Sequence, residues 1–188
     1  MSVVTNRPSA NRIILRNVGW ETYERLLKDL ENSSSPRLAF DQGRLEIMSP
    51  HLDHEETNRT LASLVEMALE EMDLDFRNAG STTFKREVLK RGFEPDPPPD
   101  LLIEIDLTND SLNKFPLYAV LGVREVWRYE KVLEIWMLDQ SRYIRRATSA
   151  AVPIFTDKLV SELLLASFTM KRPAWLRQTR KRIRALIP

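Results

Sequence analysis

The segment Leu101–Ile105, with the sequence Leu-Leu-Ile-Glu-Ile, constrains the fold of this chain most. It is almost continuously apolar, which is typical of a strand that is buried on both faces. Helical spacing follows over residues 111–121 and ends at Gly122, and a second strand pattern covers residues 123–128. A strand, a helix and a strand joined by short loops predict a right-handed βαβ crossover with parallel strands.

Further strands and helices alternate along the rest of the chain. Strand patterns cover residues 12–16, 75–78, 81–89, 132–138 and 142–146, and a hairpin pattern covers 37–48; helical patterns cover 20–30, 53–72, 157–165 and 174–186. These patterns predict an α/β fold with a mixed sheet flanked by helices. A chain of 188 residues favours one domain. We expect a flexible arm over 1–11, a single domain over 12–168 and a basic C-terminal helix over 169–188.

Composition excludes several functional classes. The chain has no run of eighteen apolar residues and no apolar segment near its start, so we expect neither a membrane span nor a signal peptide. It has no cysteine, which excludes disulfides, thiolate zinc sites and a cysteine nucleophile. A cytoplasmic protein is the resulting expectation.

Positive charge is concentrated at the C-terminal end. Seven bases and no acid lie between positions 171 and 184, and without them the chain has 21 bases and 27 acids: the bases are Lys171, Arg172, Arg177, Arg180, Lys181, Arg182 and Arg184. This tail is either a handle for phosphates or the solvated face of a terminal helix.

Glu104 is the most informative single residue. Side chains alternate along a strand, so Glu104 shares a face with Asp100, Leu102 and Asp106. An unpaired buried carboxylate costs several kcal/mol, and a metal cation or a cluster of basic side chains would compensate it. The structural alternative for Glu104 is an ion pair with an interior arginine.

Asp96 and Lys114 flank this strand in the sequence. Asp96 follows Glu94-Pro95 in a turn shortly before the strand, so its carboxylate and that of Glu104 make a candidate Mg²⁺ site. Lys114 lies on the following helix, which packs back over the sheet, so its ammonium could reach the acids and hold a water. Each neighbouring residue also has a structural alternative. Asp100 would close the turn before the strand, Asp106 would cap the turn into the next helix, and Lys114 would lie on the surface.

Several segments, taken in order, closely resemble the Uma family, a large bacterial group of restriction-endonuclease-like nucleases. The main ones are Gly92-Phe-Glu-Pro-Asp96, the segment from Pro98 to Asp106, and Leu121-Gly-Val-Arg-Glu-Val-Trp127, and weaker likeness is found in Leu45-Glu-Ile-Met-Ser-Pro50, Asp53-His-Glu55 and Ser81-Thr-Thr-Phe-Lys85. The resemblance runs from about residue 18 to 168. It implies a restriction-endonuclease-like fold with a hairpin and helix added at the N-terminal side.

The resemblance also implies a PD-(D/E)xK catalytic site. Pro95-Asp96 matches the PD and Glu104 the second acid, so Asp96 and Glu104 would bind Mg²⁺ or Mn²⁺. Asp106 occupies the usual lysine position, and Lys114 matches a lysine that has moved to the next helix. Glu55 matches a helix acid that can join the site.

One departure affects Asp96. Relatives have a longer segment between the PD and the following strand, whereas here Asp96 runs directly into Pro97-Pro-Pro-Asp100. Either the length is deleted, which would nearly remove the second core strand and displace Asp96, or residues are missing from the sequence as written. We favour missing residues, because loss of a central strand should cost the fold.

Three functions follow from these patterns. The first is a metal-dependent endonuclease that hydrolyses phosphodiester bonds in DNA, for which a twofold homodimer is a reasonable expectation. The second is a non-catalytic nucleic-acid-binding or dimerisation module on the same fold. The third is nucleic-acid binding through the basic tail alone.

Overall fold

The chain forms two compact units. The computed structural model describes residues 11–33, 35–49, 52–78, 80, 98–106 and 114–188. Of these residues, those up to residue 56 belong to one unit and those from residue 57 on belong to the other. The predicted limits of the arm, the domain and the tail stay a prediction.

The first unit is a small antiparallel sheet with one helix. Its elements are β1 (Asn11–Leu15), α1 (Trp20–Asp29), β2 (Arg37–Asp41) and β3 (Arg44–Ser49), and the strands lie in the order β1-β3-β2. The predicted hairpin is confirmed as β2 and β3, joined by Gln42 and Gly43 with φ of 45° and 82°. Two consecutive positive φ values favour a tight two-residue turn, and glycine reaches that region without strain.

Aromatic packing joins the helix of this unit to its sheet. The ring of Tyr23 stacks on that of Phe40 with centroids 5.1 Å apart, and Trp20 contacts both rings at 5.2 and 5.5 Å. Trp20 and Tyr23 are three residues apart in α1, so they lie on one helix face. The helical spacing read from the sequence therefore places the aromatic face of α1 against β2.

The second unit is built around a mixed sheet. Its elements are β4 (Leu101–Ile105), α3 (Phe115–Leu121), β5 (Glu125–Tyr129), β6 (Leu133–Asp139), β7 (Arg142–Arg146), α4 (Asp157–Ser167), α5 (Arg172–Arg184) and, from residue 57 on, α2 (Leu52–Glu71). The described strands lie in the order β4-β5-β6-β7. β4 and β5 are parallel and the other neighbours antiparallel, so the predicted parallel pairing across α3 is confirmed.

Each face of this sheet carries its own apolar core. On one face, side chains from β4, β5 and β6 pack against α2, α4 and α5, with Trp127, Phe155 and Trp175 among the fully buried groups. On the other face, Val126 packs with Tyr118 of α3 and with Leu102. Leu101, Ile103 and Ile105 belong to the first core and Leu102 to the second, which confirms the alternation predicted for β4. Within the described residues, no helix is long and apolar enough to cross a bilayer.

One predicted strand is wrong. Residues 75–78 follow α2 as exposed, irregular backbone. Their strand-like composition is not sufficient, because a strand forms only where its backbone pairs with another strand, and no described strand pairs with them. Instead, Asn78 Nδ2 donates to Glu66 Oε1 of α2 at 2.6 Å. The strand predicted over 81–89 lies outside the described residues.

Candidate active site

Glu104 lies on β4, on the sheet face that α3 covers. Its Cα is in register with that of Arg128 on β5, and its side chain is 17% exposed. The carboxylate is therefore mostly withdrawn from water but not sealed from it.

Two residues of the βαβ crossover hold the Glu104 carboxylate. Lys114 Nζ lies 2.9 Å from Oε1, and the hydroxyl of Tyr118 donates to Oε2. Lys114 immediately precedes α3 and Tyr118 lies in its first turn, so their four-residue spacing places them on one side of the helix. The partly buried negative charge of Glu104 needs a compensating positive charge. Lys114 supplies it, in place of the interior arginine that the structural alternative predicted.

Gly122 fixes where α3 ends and β5 approaches. Its φ of 81° places it in the left-handed region, and its N–H bonds to the carbonyl of Ala119 at 3.1 Å. A glycine at this position ends the helix without steric cost. The chain then enters β5 beside β4, which keeps Lys114 and Tyr118 over Glu104.

A second ion pair lies next to Glu104 on the same face. Arg128 Nη2 lies 2.9 Å from Oδ2 of Asp106, whose side chain is 3% exposed against 36% for Arg128. The parallel ladder continues through Asp106, because its N–H bonds to the carbonyl of Tyr129 at 2.8 Å. Asp106, predicted as a turn cap or as the occupant of the lysine position, is thus a buried acid with a basic partner.

Asp96 and Glu55 are the other acids predicted for this site. Asp96 lies outside the described residues. Glu55 belongs to the first unit, where Arg37 Nη2 lies 2.5 Å from its Oε1 and His54 Nδ1 lies 3.7 Å from the same atom. Its role as an accessory acid stays a prediction.

Glu125 is a buried acid that sequence reasoning missed. Its side chain lies on the opposite face of β5 and is 1% exposed. The four donors to its carboxylate, at 2.5 to 3.1 Å, are Trp127 Nε1, Ser149 Oγ and the N–H groups of Ala150 and Ala151. The available signal was an acid directly before the apolar residues Val126 and Trp127 of β5, a weaker form of the signal that identified Glu104.

Four bases of the C-terminal helix make contacts within the second unit. Arg180 and Arg184 pair with Glu71 of α2 at 2.6 Å each, and Arg182 pairs with Glu162 of α4 at 2.7 Å. The guanidinium of Arg172 lies 4.5 Å from the ring centroid of Trp175. These contacts give the basic tail a packing role, and its use as a phosphate handle stays a prediction.

Comparison with family models identifies the chain. The family Uma2, described as "Putative restriction endonuclease", matches over residues 20–97 and again over 89–170. The chain belongs to this family. Uma2 membership and the mixed α/β structure together confirm the predicted restriction-endonuclease-like fold.

The Uma2 match is interrupted where the sequence departs from the family. Its two parts overlap at residues 89–97, next to the shortened segment after Asp96. In the full sequence three prolines join Asp96 directly to Asp100, so the expectation that residues are missing here is wrong and the segment is short in the protein itself. No curated protein and no solved structure matches the chain.

Restriction-endonuclease-like proteins generally use divalent metals, and the chemistry of the Glu104 site is compatible with one. Within the described part of the chain, no group of three or more acidic, histidine or cysteine side chains could hold a metal. Mg²⁺ usually takes only one or two protein carboxylates and completes its shell with water and substrate phosphate. Each oxygen of Glu104 accepts one hydrogen bond from the described residues, and a carboxylate oxygen has two lone pairs. Glu104 therefore fits the group as a single oxygen ligand.

Proposed function

We propose that the chain is a metal-dependent endonuclease that hydrolyses phosphodiester bonds in DNA. The observation that carries this proposal is the contact of 2.9 Å between Lys114 Nζ and Glu104 Oε1 in a partly buried site on the sheet. An acid on β4 and a lysine at the start of the next helix are the pair that Uma2 membership leads one to look for.

The roles follow from the chemistry of each group. Glu104 and Asp96 would hold Mg²⁺ or Mn²⁺, which when bound stabilises negative charge on the phosphate. Lys114 would orient the attacking water through an N–H donor of its ammonium, which its contact with Glu104 holds at the acid. Tyr118 would hold the second oxygen of Glu104 and so fix the direction in which the carboxylate points.

Metal binding and cleavage test this proposal together. Calorimetry with Mg²⁺ and Mn²⁺, and cleavage of plasmid and single-stranded DNA, would be measured for the wild type, Glu104→Gln, Asp96→Asn and Lys114→Met. Glu162→Gln is the matched control, because Glu162 forms an ion pair on α4 away from β4. We expect Glu162→Gln to retain metal binding and cleavage. Glu104→Gln and Asp96→Asn should lose both. A folded wild type that neither binds metal nor cleaves DNA would contradict the nuclease assignment.

The contacts of Glu104 also support the alternative, a non-catalytic nucleic-acid-binding or dimerisation module. Lys114 and Tyr118 already compensate the buried carboxylate, so no metal is needed to explain it. On this alternative Glu104→Gln lowers stability without changing DNA binding. Sedimentation of the wild type alone would test the homodimer. Sedimentation with duplex DNA would test DNA binding.

A further inference from the structure

Arg128 is the most exposed charged group of the cluster around Glu104. The side chains of Glu104, Lys114 and Asp106 are 17%, 12% and 3% exposed, whereas that of Arg128 is 36% exposed. Arg128 lies on β5, between β4 and β6 in the sheet, so its backbone is paired on both sides. A guanidinium on such a strand is held more rigidly than one on a loop.

Only part of the Arg128 guanidinium is used by its ion pair. Nη2 contacts Asp106, while a guanidinium has five N–H donors in a fixed plane. Its register neighbour on β6 is Glu134, but Arg145 and Trp136 Nε1 hold that carboxylate at 3.1 and 3.2 Å. Among the described acids, Asp106 is thus the one that forms an ion pair with Arg128.

We propose that Arg128 binds a backbone phosphate of the nucleic acid whose hydrolysis is assigned to the Glu104 site. This inference rests on the proposed function and names a substrate contact of the same site. A planar fork of donors matches two phosphate oxygens, which is why arginine is favoured for bidentate phosphate recognition. Asp106 orients the guanidinium of Arg128 through their ion pair. Because Arg128 is in register with Glu104, its N–H donors lie next to the acid that would bind the metal.

A double variant separates this contact from general electrostatics. Asp106→Leu with Arg128→Met removes one negative and one positive charge, so the net charge is unchanged and neither member of the ion pair is left without the other. The matched control is Asp100→Leu with Arg124→Met, which removes an exposed pair, 4.0 Å apart, at the other end of the same two strands. Arg128→Lys keeps the charge and the partner of Asp106 but loses the fork.

Binding to a fluorescent DNA duplex in EDTA would be measured by anisotropy, with KM and kcat measured in Mg²⁺ and folding checked by thermal unfolding. We expect the Kd and the KM of the double variant to rise roughly tenfold, with a smaller change in kcat. The slope of log Kd against log salt concentration should fall by about one. Arg128→Lys should show a smaller rise in KM, and it carries the test if the double variant does not fold.

The outcomes distinguish this inference from the proposed function. A wild type that cleaves DNA, with the Kd and KM of both Arg128 variants equal to those of the control, overturns the phosphate contact and leaves the nuclease intact. A wild type that binds DNA through Arg128 without cleaving it supports the contact and contradicts the nuclease. No DNA binding by the wild type overturns both.

Discussion

Glu104 and Glu125 are glutamates of neighbouring strands that point to opposite faces of one sheet. Glu104 is held by the ammonium of Lys114 and the hydroxyl of Tyr118 and remains 17% exposed. Glu125 accepts four hydrogen bonds from an indole, a hydroxyl and two backbone N–H groups and is 1% exposed. Glu104 interrupts an apolar strand, whereas Glu125 begins a strand that also carries Arg128, and the surroundings of the two acids differ in charge and in access to water.

The donors show what each acid is suited to do. Four donors fill the accepting capacity of Glu125, and two of them are backbone groups of the loop after β7, so this carboxylate fixes that loop to β5. Glu104 has fewer described donors, one of them charged, and some contact with water. An acid that must bind a ligand needs this spare capacity, whereas an acid that only joins two segments does not.

The largest expected effect is the loss of cleavage in Glu104→Gln. If the oxygen ligand of a catalytic metal is lost, cleavage should fall by roughly a thousandfold, about 4 kcal/mol of transition-state stabilisation. The amide keeps the shape of the side chain and can still accept from one partner, so we expect thermal unfolding to change little. Plasmid nicking rates and calorimetric unfolding would be compared. Cleavage by Glu104→Gln at the wild-type rate would mean that Glu104, like Glu125, has a structural role only.

Glu125→Gln should show the opposite pattern. Its NH₂ group would face two donors, so two hydrogen bonds to a buried site are lost at a cost of about 2–4 kcal/mol. Denaturant unfolding would measure this loss, and cleavage well below the unfolding midpoint should stay near the wild-type rate. A stable Glu125→Gln variant that has lost cleavage would place this acid in the machinery and not in the scaffold.

The contrast also shows what the sequence could predict. The buried strand, its parallel partner and the reach of Lys114 follow from periodicity, short loops and the handedness of βαβ units, which are local rules. Glu125 was missed because three of its four donors lie 24 to 26 positions further along the chain, in an irregular loop that has no sequence periodicity. Tyr118 was missed because a tyrosine within an apolar helical stripe gives no sign of where its hydroxyl points. The strand predicted over residues 75–78 is wrong because strand-like composition does not supply a pairing partner.

Tyr118→Phe should sharpen the assignment of Glu104 with an intermediate effect. Loss of the hydroxyl leaves Glu104 Oε2 without its described donor and lets the carboxylate rotate. Partners of a metal-binding carboxylate typically change affinity or activity by about 10- to 100-fold, so we expect a weaker Mn²⁺ Kd and slower cleavage with a similar unfolding midpoint. Tyr143→Phe is the matched control, because the Tyr143 hydroxyl donates to the carbonyl of Val123 and not to an acid. An unchanged Mn²⁺ Kd in Tyr118→Phe would limit this tyrosine to packing.

The smallest expected effect concerns Glu71, an acid of α2 whose partners are both charged. Hydrogen bonds from Arg184 and then Arg180 lower the pKa of Glu71 below its ordinary value. A pKa that is lower in the folded state gives stability that is present above the ordinary carboxyl range and is lost as the pH falls through the folded pKa. Glu71→Gln should therefore lower Tm by no more than a few degrees at pH 7, and this difference should shrink as the pH falls through the folded pKa of Glu71. Glu125→Gln is the variant for comparison. Its loss of stability comes from hydrogen bonds to neutral donors inside the fold. A Glu71→Gln deficit that stays constant as the pH falls well below the ordinary carboxyl range would show that α5 is held to α2 by packing and not by these ion pairs.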